Sequence, residues 1–190
     1  MDGNGDGRVD LTDLADATAT TANYLRQKGW KPGKGYQQGE ANFAVIKEWN
    51  AAKVYQQASA KAVNEHPPLL KAEQRGWIKG RNDCWKAEDK PLCVSDSYRL
   101  RIAELQARYA LLPATGPVFY SCDGQAAKEV VATFYPTDPA SVVVEFGDST
   151  SLMLQQVAAS GSRYQGRNES FWEHQGKAVV VWGYEAPEMQ

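Results

Sequence analysis

The residues with chemical potential in this 190-residue chain gather in two places. Near the start, residues 2–13 read Asp-Gly-Asn-Gly-Asp-Gly-Arg-Val-Asp-Leu-Thr-Asp. Oxygen donors recur through that stretch: the side chains of Asp2, Asn4, Asp6, Asp10 and Asp13, and the Arg8 carbonyl, with Gly7 where the chain must turn sharply. Calcium takes about six to eight hard oxygens on a flexible frame, and this spacing supplies them. Asp13 stands where a longer bidentate Glu is usual, and no entering helix precedes Asp2, so the calcium affinity expected is weak. Towards the other end, Ala158-Ala-Ser-Gly-Ser-Arg-Tyr164 sets two hydroxyls, a cation and an aromatic ring among small residues. That pattern holds no nucleophile beside a base and no cluster of metal ligands. Small residues with Ser160, Gly161, Arg163 and Tyr164 on a loop tip suit insertion into the cleft of another molecule.

These residues need elements to hold them. Behind the loop, Glu169–His174 and Lys177–Tyr184 read as two strands around a Gln175-Gly176 turn. Val118–Cys122, Lys128–Tyr135, Ser141–Phe146 and Ser151–Val157 read as further strands, separated by Asp-Gly, Thr-Asp-Pro and Gly-Asp turn signals. Val142, Val144 and Phe146 alternate with Val143 and Glu145, which gives that strand one cored face. Regular short strands of this kind predict an antiparallel barrel or sandwich. A core of this size is sensitive to loss of a buried aromatic such as Phe134.

The preceding half is helical. Leu11–Lys28 carries apolar residues at helical spacing and is followed by Gly29, a residue suited to a left-handed cap. A second helix is predicted over 40–63, ended by Asn64 and the Pro67-Pro68 pair. Two more follow, 69–85 and 97–111, with Asp89-Lys-Pro91 breaking them apart and Ser95 or Asp96 capping the second. The overall class is α+β. Its expected modules are a helical segment over 1–64, a helical hairpin over 65–113, a Pro113–Pro117 linker, and a small antiparallel β-barrel over 117–190.

Charge and cysteines narrow the classes. The net charge is −2, but residues 113–190 hold nine acids against four bases, a net −5, and the rest carries +3. An acidic half is a poor nucleic-acid binder and suits a basic partner. No apolar run approaches the roughly 20 residues that span a bilayer. No basic n-region, apolar h-region or lipid-anchor cysteine stands near Met1, so an export signal is not expected within the chain as written. Cys84 and Cys93 are close enough to close a short loop, which leaves Cys122 free. None of the three makes a Cys-x-x-Cys pair, which argues against zinc.

Three resemblances follow from these residues. From about 118 to 184 the chain resembles the C-type lysozyme inhibitor family usually called MliC/PliC, through Tyr120-Ser-Cys-Asp-Gly124, Ser160-Gly-x-x-Tyr164 and Phe171-Trp172 in that order. The resemblance implies a small closed barrel, a cell-envelope or periplasmic location, and C-type lysozyme as partner. It also implies a loop Ser, here Ser160, and a hairpin Lys that face the two catalytic carboxylates of lysozyme. The family Lys position is taken here by His174, and the nearest Lys is Lys177 across the turn. Residues 68–112 resemble the LprI-type lysozyme-inhibitor module, through Gly76-Trp-x-Lys-Gly-Arg-Asn-Asp-Cys84-Trp and Tyr98-x-x-Arg-Ile-x-Glu-Leu105. Residues 2–63 resemble the C-terminal part of the lytic murein transglycosylase B family, through the calcium-like loop, Ala22-Asn-Tyr-Leu25 and Asn42-Phe-x-Val-Ile-x-x-Trp-Asn50. That family's catalytic Glu lies upstream of its calcium loop, so the resemblance implies a remnant with no muramidase activity. A fragment of a calcium-binding, peptidoglycan-cleaving transglycosylase is the alternative reading.

Overall fold

A computed structural model describes residues 2–8, 14–37, 40–61, 67–125 and 128–190. Four helices come first: α1 Leu14–Gln27, α2 Phe43–Lys61, α3 Pro67–Asn82 and α4 Lys90–Arg108. Eight strands follow: β1 Thr115–Ser121, β2 Glu129–Tyr135, β3 Ser141–Phe146, β4 Ser149–Gln156, β5 Ser162–Gln165, β6 Glu169–His174, β7 Lys177–Trp182 and β8 Glu188–Met189. The chain divides into two compact units, Met1–Lys53 with Gly76–Tyr98, and Val54–Arg75 with Arg99–Gln190.

In the first unit, α1 stops at the glycine the sequence pointed to. Gly29 has φ +88°, and the amides of Gly29 and Trp30 donate back to the carbonyls of Arg26 and Leu25 at 3.0 and 2.9 Å. That is a left-handed glycine closing the last turn. The fully buried Asn42 fixes the following loop: its carbonyl oxygen accepts the Lys31 N–H, and its amide donates to the carbonyls of Lys31 and Lys34. Cys84 and Cys93 are disulfide-bonded. Closing so short a loop stabilises by at most about 3 kcal/mol in the chain-entropy picture.

Helix α4 starts earlier than the sequence suggested. The expected break at Asp89-Lys-Pro91 is instead the start of the helix, and Ser95 and Asp96 lie inside it rather than capping it. Asp89 is the cap: its carboxylate accepts the Leu92 N–H at 2.9 Å. Pro91 falls in the first turn, where a missing N–H costs nothing. The same logic lets Pro67, expected to end a helix, open α3.

In the second unit, Ala58, Leu70 and Leu105 bury together, with Tyr109 and Leu111 packed against them. Arg101 is buried on α4 and donates to Glu104 and Gln74. The strands form one antiparallel meander in sequence order, curled into a half-barrel. Alternation decides which side faces in: Val130, Ala132, Val142, Val144, Met153, Phe171 and Val180 are fully buried. Phe171 is the central ring, edge-on to Tyr120 and Phe134. Phe134, expected in the core, is half-buried and packs against it.

Two strands escaped the sequence reading, β5 and β8. A third departure is at the start of the sheet, where Thr115, Gly116 and Pro117 of the expected linker already belong to β1. The ladder slips there between Thr115 and Val118. Gly116 has φ +117°, and a Cβ on it would come 2.8 Å from the Ala132 carbonyl oxygen. Only glycine fits that bulge.

Candidate functional site

The sheet brings the sequence's loop and hairpin to the same end of neighbouring strands. Residues 157–161 connect β4 to β5, and β5 pairs with β6 from Ser162↔Glu173 to Gln165↔Ser170. The loop that precedes β5 therefore stands beside the end of β6. There the β6–β7 turn falls on Gln175 and Gly176, with φ +53° and +76°. Positive φ at both positions is the two-residue turn whose twist matches a hairpin. It sets His174 directly opposite Lys177. The Gly176 N–H donates to the Glu173 carboxylate at 2.9 Å, which braces the turn.

Period two then sorts the side chains. Tyr164 is 6% exposed and faces inward, where its ring packs against Phe134 and Phe171. Burial raises its phenol pKa, opposed by a hydrogen bond from Ser162. Tyr164 thus holds the loop from inside. Arg163 faces outward and is exposed, directly across from Trp172, which in turn pairs with Val179.

The loop rests on the hairpin through its own backbone. Trp172 Nε1–H donates to the Ser160 carbonyl oxygen at 2.9 Å. Gly161 has φ +66°, and a Cβ there would come 2.3 Å from the Glu173 carbonyl oxygen and 3.0 Å from both His174 Cβ and Trp172 Nε1. Gly161 is thus required on two counts, backbone conformation and close approach. Ser160 is exposed, and its hydroxyl has no partner in the chain among the described residues. The His174 ring lies parallel to the Trp172 indole, with centroids 6.2 Å apart and planes 17° from coplanar.

Trp172 also divides two grooves. One, about 430 Å³, is lined by Phe119, Ser121, His174, Lys177 and Gln190 among others. The other, about 370 Å³, runs past Ser160, Arg163, Val179 and Glu188. Of the residues singled out in the sequence, Ser160, Gly161, Arg163, His174 and Lys177 come together on this exposed end. In the sequence Trp172 is legible only as part of a motif. Its role in holding the loop was invisible because the bond is made to a backbone carbonyl twelve residues away.

Cys122 is a free, buried cysteine. Burial, with the Asp123 charge second, pushes its thiol pKa up. Asp123 itself accepts from Lys128 Nζ at 2.7 Å and from the Gln190 N–H at 3.1 Å.

The calcium-like loop is described over residues 2–8. Both Asp2 carboxylate oxygens accept loop amides, from Gly5 at 2.5 Å and Gly7 at 2.8 Å. Asn4 and Asp6 accept the amides of Asp6 and Arg8. Gly3 approaches α1 so closely that a Cβ would come 2.2 Å from the Ala15 carbonyl oxygen. These are hard oxygens wound around a tight turn, the donor chemistry calcium takes. Asp10 and Asp13, the other two carboxylates expected to bind, lie outside the described residues.

Residues 120–189 match the family model of the membrane-bound lysozyme-inhibitor of c-type lysozyme. Residues 1–39 match that of a transglycosylase SLT domain. The segment of α3 and α4 lies outside both matches. No curated protein and no solved structure matches the chain. No described helix is long and apolar enough to cross a membrane.

Proposed function

We propose that this chain is a cell-envelope inhibitor of c-type lysozyme, with no catalytic role of its own, that occupies the enzyme's active-site cleft with the Ser160 loop and the His174–Lys177 hairpin end. The observation that carries the reading is the Ser160 loop seated on Trp172, its hydroxyl exposed, within the segment similar to the inhibitor family. The Ser160 hydroxyl donates to a catalytic carboxylate of lysozyme, a charge-assisted bond stronger than a neutral one. His174 beside the loop, or Lys177 across the turn, supplies a positive neighbour for the second carboxylate. Arg163 reaches the rim of the cleft, and Tyr164 fixes the loop from the core. The net −5 of residues 113–190 steers the approach of a basic enzyme.

The helical modules carry subsidiary roles. Asp2, Asn4, Asp6 and Arg8, with Asp10 and Asp13, would hold calcium, which would order the N-terminal turn. The α3–α4 hairpin is the LprI-like module, and the helical part gives a contact with peptidoglycan. The match of residues 1–39 to a transglycosylase domain favours a second reading, a fragment of a calcium-binding lytic transglycosylase. The inhibitor match is longer and coincides with the presented loop, so the first reading is preferred. The test is a lysis assay with c-type lysozyme and the full chain. Inhibition that weakens in Ser160→Ala supports it, and uninhibited lysis at micromolar chain and low salt rejects it.

A further inference from the structure

We propose that Trp172 is a positioning residue, whose indole fixes the Ser160 loop and the His174 ring in one arrangement before any partner arrives. The inference deepens the inhibitor reading and rests on it for the identity of the partner. The loop cannot order itself by packing. Val157 is fully exposed, and the following Ala-Ala-Ser-Gly has no side chain large enough to anchor in the core. Its tip is held by two contacts with the hairpin, and the indole that makes the first also orients the His174 ring. The indole N–H holds the Ser160 carbonyl at 2.9 Å. The Gly161 backbone lies against the Glu173 carbonyl, where no Cβ fits. The indole face lies parallel to the His174 ring.

The indole is suited to this because it joins a flat face to a single donor directed along its edge. Phenylalanine would keep the face and lose the donor. A loop fixed in advance loses little freedom on binding, so its affinity is greater than that of a mobile loop with the same contacts. A second role for the ring is direct contact with a partner, since Trp172 is 38% exposed between the two grooves. Buried Trp is a frequent anchor at interfaces. The two roles separate in one substitution, because Trp172→Phe removes the hydrogen bond while leaving an aromatic ring to meet the partner.

Hydrogen exchange of the free full-length chain and inhibition of c-type lysozyme would be measured for the wild type, Trp172→Phe and Gly161→Ala. Positioning predicts faster exchange at the amides of residues 159–162 in both variants, without a change in the β2–β3 core amides. It also predicts about three- to tenfold weaker inhibition by Trp172→Phe. Unchanged loop exchange in Trp172→Phe overturns the proposal, and so does faster loop exchange with unchanged inhibition. If the wild type does not inhibit, the inhibitor reading falls by itself, and the exchange of the free chain still decides whether Trp172 holds the loop.

Discussion

Asp123 and Gln190 join the two ends of the sheet by a reciprocal pair of hydrogen bonds. The Asp123 N–H donates to the Gln190 backbone oxygen, and the Asp123 carboxylate accepts the Gln190 N–H at 3.1 Å. Asp123 follows β1 and Gln190 follows β8, so among the described residues this pair stands where a closing β1–β8 ladder would be. The motif Cys-Asp-Gly at 122–124 thus has a structural reason beyond its turn. Asp123 sits at φ +53°, a conformation that Asp tolerates better than most residues.

The Asp123 clasp predicts a pH dependence. The Lys128 hydrogen bond, and then the Gln190 amide, hold the Asp123 carboxyl below the usual aspartate range. A depressed pKa stabilises the fold above the unfolded value, and that contribution is lost as pH falls through the folded one. Thermal unfolding followed from pH 7 to pH 2.5 should therefore show a steeper acid decline for the wild type than for Asp123→Asn. Parallel curves would show that the clasp adds nothing to stability.

Phe171 is the central ring in the core of the sheet. Its ring is fully buried against Tyr120, Phe134 and Tyr164. Phe171→Ala should cost about 3–5 kcal/mol, enough to unfold a small domain, whereas Phe134→Ala should cost less because Phe134 is half-buried. Denaturant titrations of the two variants test the order.

The thiols should behave unequally. Non-reducing peptide mapping should recover one intramolecular bridge, Cys84–Cys93. Cys122 is buried with a raised pKa, so it should react with a thiol reagent only after unfolding. Rapid labelling of the native chain would contradict its placement.

The loop's cationic neighbour is the next test. His174 abuts Gly161 and stacks on Trp172, whereas Lys177 lies on the far side of the turn. His174→Ala should therefore weaken inhibition more than Lys177→Ala, and His174→Lys should tighten it. A larger loss from Lys177→Ala would move that role across the turn.

Local rules made much of this fold legible. Period-two alternation marked Val142 and Val144 as core, Gly29 marked the end of α1, and Gln175-Gly176 marked the hairpin. What stayed hidden was short or non-local. Strand β5 is four residues, Ser-Arg-Tyr-Gln, of which only Tyr164 is buried, so it gave no hydrophobic period. Strand β8 is two residues. In the sequence Pro91 looks like a breaker, because a proline that ends one helix and a proline in the first turn of the next look alike until the cap, Asp89, is seen. Of the candidate site, the exposed polar residues were readable from their types. The Trp172–Ser160 and Asp123–Gln190 bonds were not, because each joins a side chain to backbone far away in sequence.

The proposed inhibition turns on the contact between Ser160 and a lysozyme carboxylate. The most direct measurement is the inhibition constant of the full chain against c-type lysozyme at low and high salt, for the wild type and Ser160→Ala. The wild type should inhibit at low salt and weaken as salt rises, because an acidic surface meets a basic one. Ser160→Ala should be weaker by about 1.5–3 kcal/mol, the range for a hydrogen bond to a charged group. A wild-type chain that leaves c-type lysozyme fully active at micromolar concentration and low salt, or a Ser160→Ala variant that inhibits as well as the wild type, would contradict the account.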